Sequence, residues 1–85
     1  MRVTHTLNMC AKCPVDRHLS DFYECQIVTG KLIQVEEILT LMDEYSKEKI
    51  FQEDLCQVLA DRLGCEVTLS GDHSGVRTVV TCSPN

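Results

Sequence analysis

The chain has 85 residues with 13 acidic and 8 basic side chains, and its formal net charge is −5 at pH 7. This length predicts a single domain, residues 1–85, in which residues 1–12 form an N-terminal strand or arm. The sequence contains no apolar run near the roughly 20 residues that a membrane span needs, and its N-terminus is polar, so we expect a cytoplasmic protein with no membrane partner. The acidic balance argues against nucleic acid as a partner, because phosphate contacts need clustered Lys and Arg.

The first third of the chain predicts strands joined by a loop. Residues 3–7 alternate weakly between polar and apolar types and predict a first strand. Residues 8–20 contain Pro14 and mixed charges, which favours a loop. Residues 22–29 are rich in aromatic and β-branched side chains and predict a second strand.

The middle of the chain predicts consecutive helices, over residues 36–49 and from residue 51 or 52 to 63. Their apolar side chains follow helical spacing, which is typical of core packing: Ile38, Leu41, Met42 and Tyr45 in the first, and Leu55, Val58, Leu59 and Leu63 in the second. Lys47 and Lys49 suit the negative end of the first helix dipole. Gly64 suits a left-handed cap after the second helix.

The last third predicts a hairpin. Residues 65–70 alternate strictly, residues 71–75 form a glycine-bounded turn, and residues 76–82 form the closing strand. The element order is therefore β-β-α-α-β-β, an α+β fold with an antiparallel sheet and both helices on one face. The unpaired sheet edges and the bare second face predict a homo-oligomer.

Six cysteines divide into two groups. Those within predicted helices and strands are expected to be small buried hydrophobes: Cys25, Cys56, Cys65 and Cys82. Cys10 and Cys13 instead form a CxxC pair, which is half of a zinc site. Only His5, His18 and His73 are available to complete that site, and they are scattered along the chain.

Cys13 is a candidate nucleophile. It lies in a polar loop rather than on an apolar stripe, so core packing explains it less well than the other cysteines. A cysteine nucleophile needs a nearby acid or base. Asp16, His18 and Asp21 all follow within eight residues, and each is able to orient or protonate a reacting group.

The start of the second helix is the second candidate site. Gln52, Glu53 and Asp54 place an amide and two acids where the helix begins. The helix dipole alone favours acids at this position. A Glu carboxylate also accepts two parallel N–H bonds, which the amino–amidine edge of guanine or of a pterin provides, and Gln52 would add a polar contact.

These two places resemble the tunnelling-fold (T-fold) superfamily, whose unit is also β-β-α-α-β-β and whose members form barrels that bind purines or pterins between subunits. Cys13-Pro14-Val15 followed by Asp21-Phe22 resembles the Cys-Pro-…-Asp-Phe loop of 7-cyano-7-deazaguanine (preQ0) reductase, the nitrile reductase of queuosine biosynthesis. Residues 51–54, Phe-Gln-Glu-Asp, resemble the Phe-His-Glu-Asp of that family. The resemblance covers residues 13–82.

The resemblance implies a role for each matched residue. Cys13 would attack the nitrile carbon to form a covalent thioimide, and Asp21 would protonate the substrate. Glu53 would hold the deazaguanine edge, with Gln52 and Glu36 as further substrate-binding positions. The substrate would be a small purine, bound at an interface between subunits.

The sequence departs from the reductase pattern in three places. The loop is one residue longer, which leaves Ser20 as an alternative to Asp21 at the acid position. The family's His is Gln52, which does not transfer a proton. Residues 35–38 read Val-Glu-Glu-Ile where the reductase has its Glu-Ser-Lys cofactor stretch, which argues against bound NADPH. The related archaeal amidinotransferase also lacks that stretch and adds ammonia to the nitrile on tRNA, a partner that suits the net charge of −5 poorly.

Two alternatives stay open. The helical pair, through residues 41–45, Gln52-Glu53 and residues 59–61, also resembles GTP cyclohydrolase I, a zinc enzyme, and here Cys10, Cys13 and His18 would be the metal ligands. The third reading is a non-catalytic module that keeps the purine or pterin pocket and assembles without chemistry.

Overall fold

The computed structural model describes residues 1–16 and 19–85. Within these residues the chain forms a four-stranded antiparallel sheet in the order β1-β2-β3-β4, with two helices inserted between β2 and β3. The elements are β1 (Val3–Lys12), β2 (Ser20–Thr29), α1 (Val35–Tyr45), α2 (Gln52–Leu63), β3 (Glu66–His73) and β4 (Val76–Cys82). The predicted order β-β-α-α-β-β is thus confirmed. Neither helix in the described part of the chain is long and apolar enough to cross a bilayer.

β1 is longer than predicted. Both predicted bounds of the loop at residues 8–20 were wrong. β1 continues to Lys12, and β2 already begins at Ser20. Lys12 and Ser20 are paired across the two strands. The alternation continues through Met9 and Ala11, which are buried against the helices, while the intervening residues are polar or small and obscure the pattern.

α1 ends earlier than predicted, at Tyr45 rather than at residue 49. Ser46 terminates it, since both its backbone N–H and its hydroxyl donate to the Asp43 carbonyl, at 3.3 and 2.8 Å. The chain then turns to β1, where the Lys12 N–H donates to the Glu48 carbonyl at 2.9 Å. The lysines that suggested a longer helix lie in this connection, which ties the end of β1 to the start of α2.

α2 matches the prediction from its first residue to its last. Gly64 adopts a left-handed φ of 68° and its N–H donates to the Ala60 carbonyl at 2.8 Å, as a helix-ending glycine does. The helix lies over β3 and β4, whereas α1 contacts β1. Both helices therefore cover one face of the sheet, as predicted.

The β3–β4 turn is tighter than the sequence indicated. β3 runs through Gly71 to His73, and only Ser74 and Gly75 lie between the strands, with φ of 51° and 85°. Positive φ at both central residues defines a type I′ hairpin turn. His73 is consequently a strand residue. By alternation it shares the helix-covered face with Leu69.

The core lies between that face and the helices. Its largest fully buried side chains come from β2, α2 and β3, and they are Ile27, Leu55, Leu59, Leu69 and Val67. Cys25, Cys56 and Cys65 are buried in this core, as predicted, whereas Cys82 is only half-buried. The opposite face of the sheet is open and mostly polar, although Phe22 and Val79 are exposed on it.

Candidate active site

A cavity of about 210 Å³ opens where α2 begins, beside the cysteine loop and the β3–β4 hairpin. The side chains around it combine a thiol, carboxylates and an imidazole. The lining residues are Cys13, Pro14, Val15, Asp21, Phe51, Gln52, Glu53, His73 and Thr78. The fold therefore brings together four residues that the sequence had marked, at positions 13, 21, 52 and 53.

The Cys13 loop is held by backbone hydrogen bonds. The Cys13 N–H donates to the Leu19 carbonyl at 3.0 Å, and the Leu19 N–H donates to the Asp16 carbonyl at 3.0 Å. The Asp16 N–H points at the Cys13 sulfur from 3.5 Å. Cys13 thus has a fixed position at the cavity, with a backbone N–H directed at its sulfur.

Asp21, rather than Ser20, lines the cavity. Adjacent strand residues point to opposite faces of a sheet, and Ser20 Oγ accepts a 3.5 Å hydrogen bond from Lys12 Nζ. The Asp21 side chain is only 17 % exposed, with Oδ1 at 3.8 Å from Nδ1 of His73. Its other oxygen, Oδ2, accepts a 3.4 Å hydrogen bond from the Tyr23 hydroxyl.

Both polar atoms of the Gln52 side chain make hydrogen bonds within the protein. Gln52 is buried, and its Nε2 donates at 2.9 Å to the carbonyls of both Leu69 and Thr78. Its Oε1 lies 3.0 Å from Nε2 of His73. The side chain therefore joins the first turn of α2 to β3 and β4, and within the described residues its contacts are those of a structural residue rather than of a ligand-binding one.

Glu53 differs from its neighbour. It is exposed, it lines the cavity, and no hydrogen bond to its carboxylate is made by residues 1–16 or 19–85. It also lies in the first turn of α2, where the helix dipole favours a negative charge. A carboxylate in this position is available to a ligand.

His73 was missed by the sequence analysis, which placed it in a turn. Its position beside Asp21 and Gln52 depends on the two-residue turn that follows it. The Ser-Gly pair at 74–75 could have indicated that turn. Since every second residue of a strand lies on the same face, His73 would then have been placed with Val67 on the helix-covered face.

Tyr23 lies beside Asp21 and His73, and its ring centroid is 6.1 Å from that of the His73 ring. Burial raises the pKa of Tyr23 well above the ordinary value, and the nearby Asp21 charge raises the pKa further. The Tyr23 hydroxyl therefore stays protonated and remains a donor to Asp21. The ring lies directly over Gly71, where an added Cβ would come within 2.7 Å of Cδ1, so this strand position needs a glycine.

Glu36 lies away from this cavity. It lines an open groove of about 670 Å³ formed where α1 starts and α2 ends, together with Glu37, Lys31 and Arg62. Ten residues of α2 separate Arg62 from Gln52, which is roughly 15 Å along a helix. The groove is larger than the Cys13 cavity, but neither a thiol nor an imidazole is among its lining residues. Glu36 is thus not brought to the site that contains Cys13.

The metal-ligand set of the alternative prediction is not assembled in the described part of the chain. No group of three or more His, Cys, Asp or Glu side chains there is arranged to hold a metal ion. Cys10 pairs with Phe22 across the strands, and by alternation it lies on the open face, opposite to Asp21. His18 lies outside the described residues.

The fold is the tunnelling fold that the sequence predicted. No family model matches the chain, and no curated protein does. Among solved structures, the chain matches the crystal structure of the archaeosine synthase QueF-Like in the apo form, with a TM-score of 0.89. The match covers 98 % of this chain and 92 % of that one at 20 % sequence identity. The two proteins therefore share their fold over almost their whole length.

Proposed function

We propose that the protein binds a 7-deazaguanine-type purine, and that Cys13 attacks the nitrile carbon of 7-cyano-7-deazaguanine to form a thioimide. The observation that carries this proposal is the convergence of Cys13, Asp21 and Glu53 on one cavity. These are the positions at which the sequence resembles the nitrile-processing enzymes. The structural likeness to an archaeosine synthase supports the same class of chemistry.

Each of the three residues has a distinct task. The exposed Glu53 carboxylate accepts two parallel N–H bonds from the amino–amidine edge of the base. The Cys13 sulfur forms a bond to the nitrile carbon as one π bond of the nitrile breaks. Asp21, which is largely enclosed, delivers a proton to the nitrile nitrogen, so that the negative charge developing there is neutralised.

For the second half of the reaction we propose attack by an amine rather than a hydride. The residues in place of the reductase cofactor stretch include Glu36 and Glu37, in a groove that does not contain Cys13. Carboxylates repel the phosphates of a nicotinamide cofactor, so these residues do not fit NADPH. An amine would add to the thioimide carbon, the C–S bond would break, and Cys13 would leave as a thiolate, giving an amidine.

We further propose that a second copy of the chain completes the cavity. At about 210 Å³, it is smaller than the roughly 300–1,000 Å³ of most small-molecule sites. Val15 and Phe51 line it and are 84 % and 54 % exposed, which leaves apolar surface for a partner to cover. β1 and β4 form the sheet edges, and edge strands readily pair with another chain. Light scattering at micromolar concentration tests this; a monomer would contradict it.

Intact mass spectrometry tests the covalent step. The protein is incubated with 7-cyano-7-deazaguanine and quenched in acid. We expect a mass increase of one nitrile molecule in the wild type and in Cys10→Ala, and none in Cys13→Ala. Ammonia added before the quench should release the adduct, whereas NADPH added at the same point should leave it in place. No wild-type adduct, or an adduct that persists in Cys13→Ala, would refute the proposal.

A matched pair of variants tests base recognition. Glu53→Gln replaces the carboxylate that lines the cavity, and Asp54→Asn makes the same change at the next residue, which does not line it. Loss of a charged hydrogen-bonding partner typically costs about 1.5–3 kcal/mol, or about 10- to 150-fold in affinity. Calorimetric titration with 7-cyano-7-deazaguanine on a Cys13→Ala background should show this loss for Glu53→Gln alone. Equal losses for both variants would contradict the assignment.

A further inference from the structure

The imidazole of His73 lies between a structural amide and the proposed acid. Its Nε2 is 3.0 Å from Oε1 of Gln52, and its Nδ1 is 3.8 Å from Oδ1 of Asp21. The side chain is 39 % exposed and lines the cavity with Cys13. His73 thus provides an imidazole within the described residues, at a site where the reductase family has a histidine in the place of Gln52.

Gln52 fixes which nitrogen of His73 carries the proton. Both hydrogens of the Gln52 amide are donated to the carbonyls of Leu69 and Thr78, at 2.9 Å each. Oε1 is an acceptor only, so the Nε2 that faces it must be the protonated nitrogen of a neutral imidazole. Nδ1 then carries a lone pair and faces Asp21. Gln52 is a positioning residue in this arrangement.

The other groups around the His73 imidazole leave Oδ1 of Asp21 available to exchange a proton with Nδ1. From β2, the Tyr23 hydroxyl stays protonated and donates to Oδ2 of Asp21. The other oxygen, Oδ1, faces His73. From α2, Glu53 also lines the cavity, as does Cys13 from the loop. From β4, Val76 pairs with His73 and Thr78 lines the cavity, and neither is ionisable. The Asp72–Arg77 pair is on the opposite, exposed face.

We propose that His73 is the proton-relay partner of Asp21 in thioimide formation. Nδ1 takes the proton that the Cys13 thiol loses and returns it to Asp21 after Asp21 has protonated the nitrile nitrogen. One S–H bond and one C≡N π bond break while one C–S bond and one N–H bond form, so the protons balance without a further reactant. This inference rests on the proposed function, and it adds a residue that the sequence motifs do not include.

The test compares His73→Gln with His5→Gln. A glutamine at position 73 keeps an N–H within reach of Gln52 but has no titrating group. His5 is in β1, seven residues from Lys12, or roughly 23 Å along a strand. Adduct formation with 7-cyano-7-deazaguanine is followed by intact mass from pH 5.5 to 8.5, and affinity for guanine by calorimetry.

We expect His73→Gln to form the adduct about 100-fold more slowly at neutral pH, within the range for loss of a general acid–base group. The rate of adduct formation in His73→Gln should lose the pH dependence that the wild type shows in the range in which histidine side chains generally titrate. Its guanine affinity should stay within about 2-fold of the wild-type value, well below the tenfold change that corresponds to 1.4 kcal/mol. His5→Gln should match the wild type. A wild-type rate and pH profile in His73→Gln would overturn the relay alone. Absence of a wild-type adduct would overturn both proposals.

The tautomer gives an independent measurement on the wild-type protein. Long-range ¹H–¹⁵N correlation spectra of the neutral imidazole should show His73 protonated at Nε2. Protonation at Nδ1 would leave no lone pair toward Asp21 and would overturn the relay whatever the kinetics show.

Discussion

Replacing Gln52 with alanine should destabilise the protein far more than the same change at Gln57. Both glutamines are in α2, and both donate from Nε2 to two acceptors. The Gln52 bonds go to the carbonyls of Leu69 and Thr78 and are buried or partly buried. The Gln57 bonds go to Asp61 and Ser83 at 3.0 and 2.9 Å and are exposed. The pair therefore compares similar chemistry in an enclosed and in a solvated environment.

The magnitude follows from what alanine leaves behind. At position 52 it leaves two backbone carbonyls and the His73 N–H without their partner, in a place where the original side chain was only 3 % exposed. Each enclosed polar group left unsatisfied costs about 1–3 kcal/mol, and water entering the space offsets part of that. We expect a loss of about 3–5 kcal/mol for Gln52→Ala. At position 57 water replaces the lost bonds, and the loss should be within about 0.5 kcal/mol.

Urea unfolding followed by circular dichroism measures the difference, since the chain has no tryptophan to report it by fluorescence. Both variants must be compared at one protein concentration, because assembly would add to the apparent stability. Similar midpoints for the two variants would refute the reasoning, since the Gln52 amide would then be no more important than a surface one. An alanine-52 variant that is unfolded without urea would support it, given total stabilities of about 5–15 kcal/mol.

Two further predictions concern the core. Gly71→Ala should destabilise the protein by about 1–3 kcal/mol, because the new Cβ overlaps the buried Tyr23 ring at 2.7 Å. Gly30→Ala should have little effect in the same urea assay, since its nearest neighbour would be 3.5 Å away. Equal losses would contradict the close approach. Burial raises the pKa of the Cys25 and Cys56 thiols to about 12 from an ordinary 9.0. Above pH 9 the unfolded chain therefore releases these protons before the folded one does, and stability falls as pH rises from 9 toward 12. At pH 10 the loss should be about 1.4 kcal/mol per thiol. The pH-dependent loss should be smaller by that amount in Cys25→Ala. A stability that is flat from pH 8 to 10 would show that these thiols are not enclosed.

The sequence predicted the fold where side-chain periodicity and burial agree. α2 was placed correctly because its apolar stripe and Gly64 give the same boundary. The predicted β1 was too short because the outer face of the strand carries polar residues, which individually are typical of a loop. α1 was extended too far because Lys49 suits a helix end, whereas the chain there actually pairs with Lys12. Contacts between distant segments decide both boundaries, and local patterns do not contain them.

The candidate site was predicted in part for a similar reason. Cys13, Asp21 and Glu53 were marked from local motifs, and each lines the cavity. Gln52 was expected to contact a substrate, but its hydrogen bonds are to the protein's own backbone and to His73. That role depends on how β3 and β4 pass beneath the helix, which a four-residue motif does not specify.

The glutamine at position 52 and the histidine at position 73 are best understood as one unit. Two carbonyls of adjacent strands face the start of α2, and a primary amide is the neutral side chain that donates to both and still offers an acceptor. An imidazole at position 52 has at most two N–H groups, which diverge from the ring, so it would not satisfy this pair in the same way. With the amide fixed there, the imidazole is held from the opposite side by the hairpin, and it still faces Asp21. A glutamine at position 52 therefore does not remove the imidazole from the cavity, because β3 supplies one in His73.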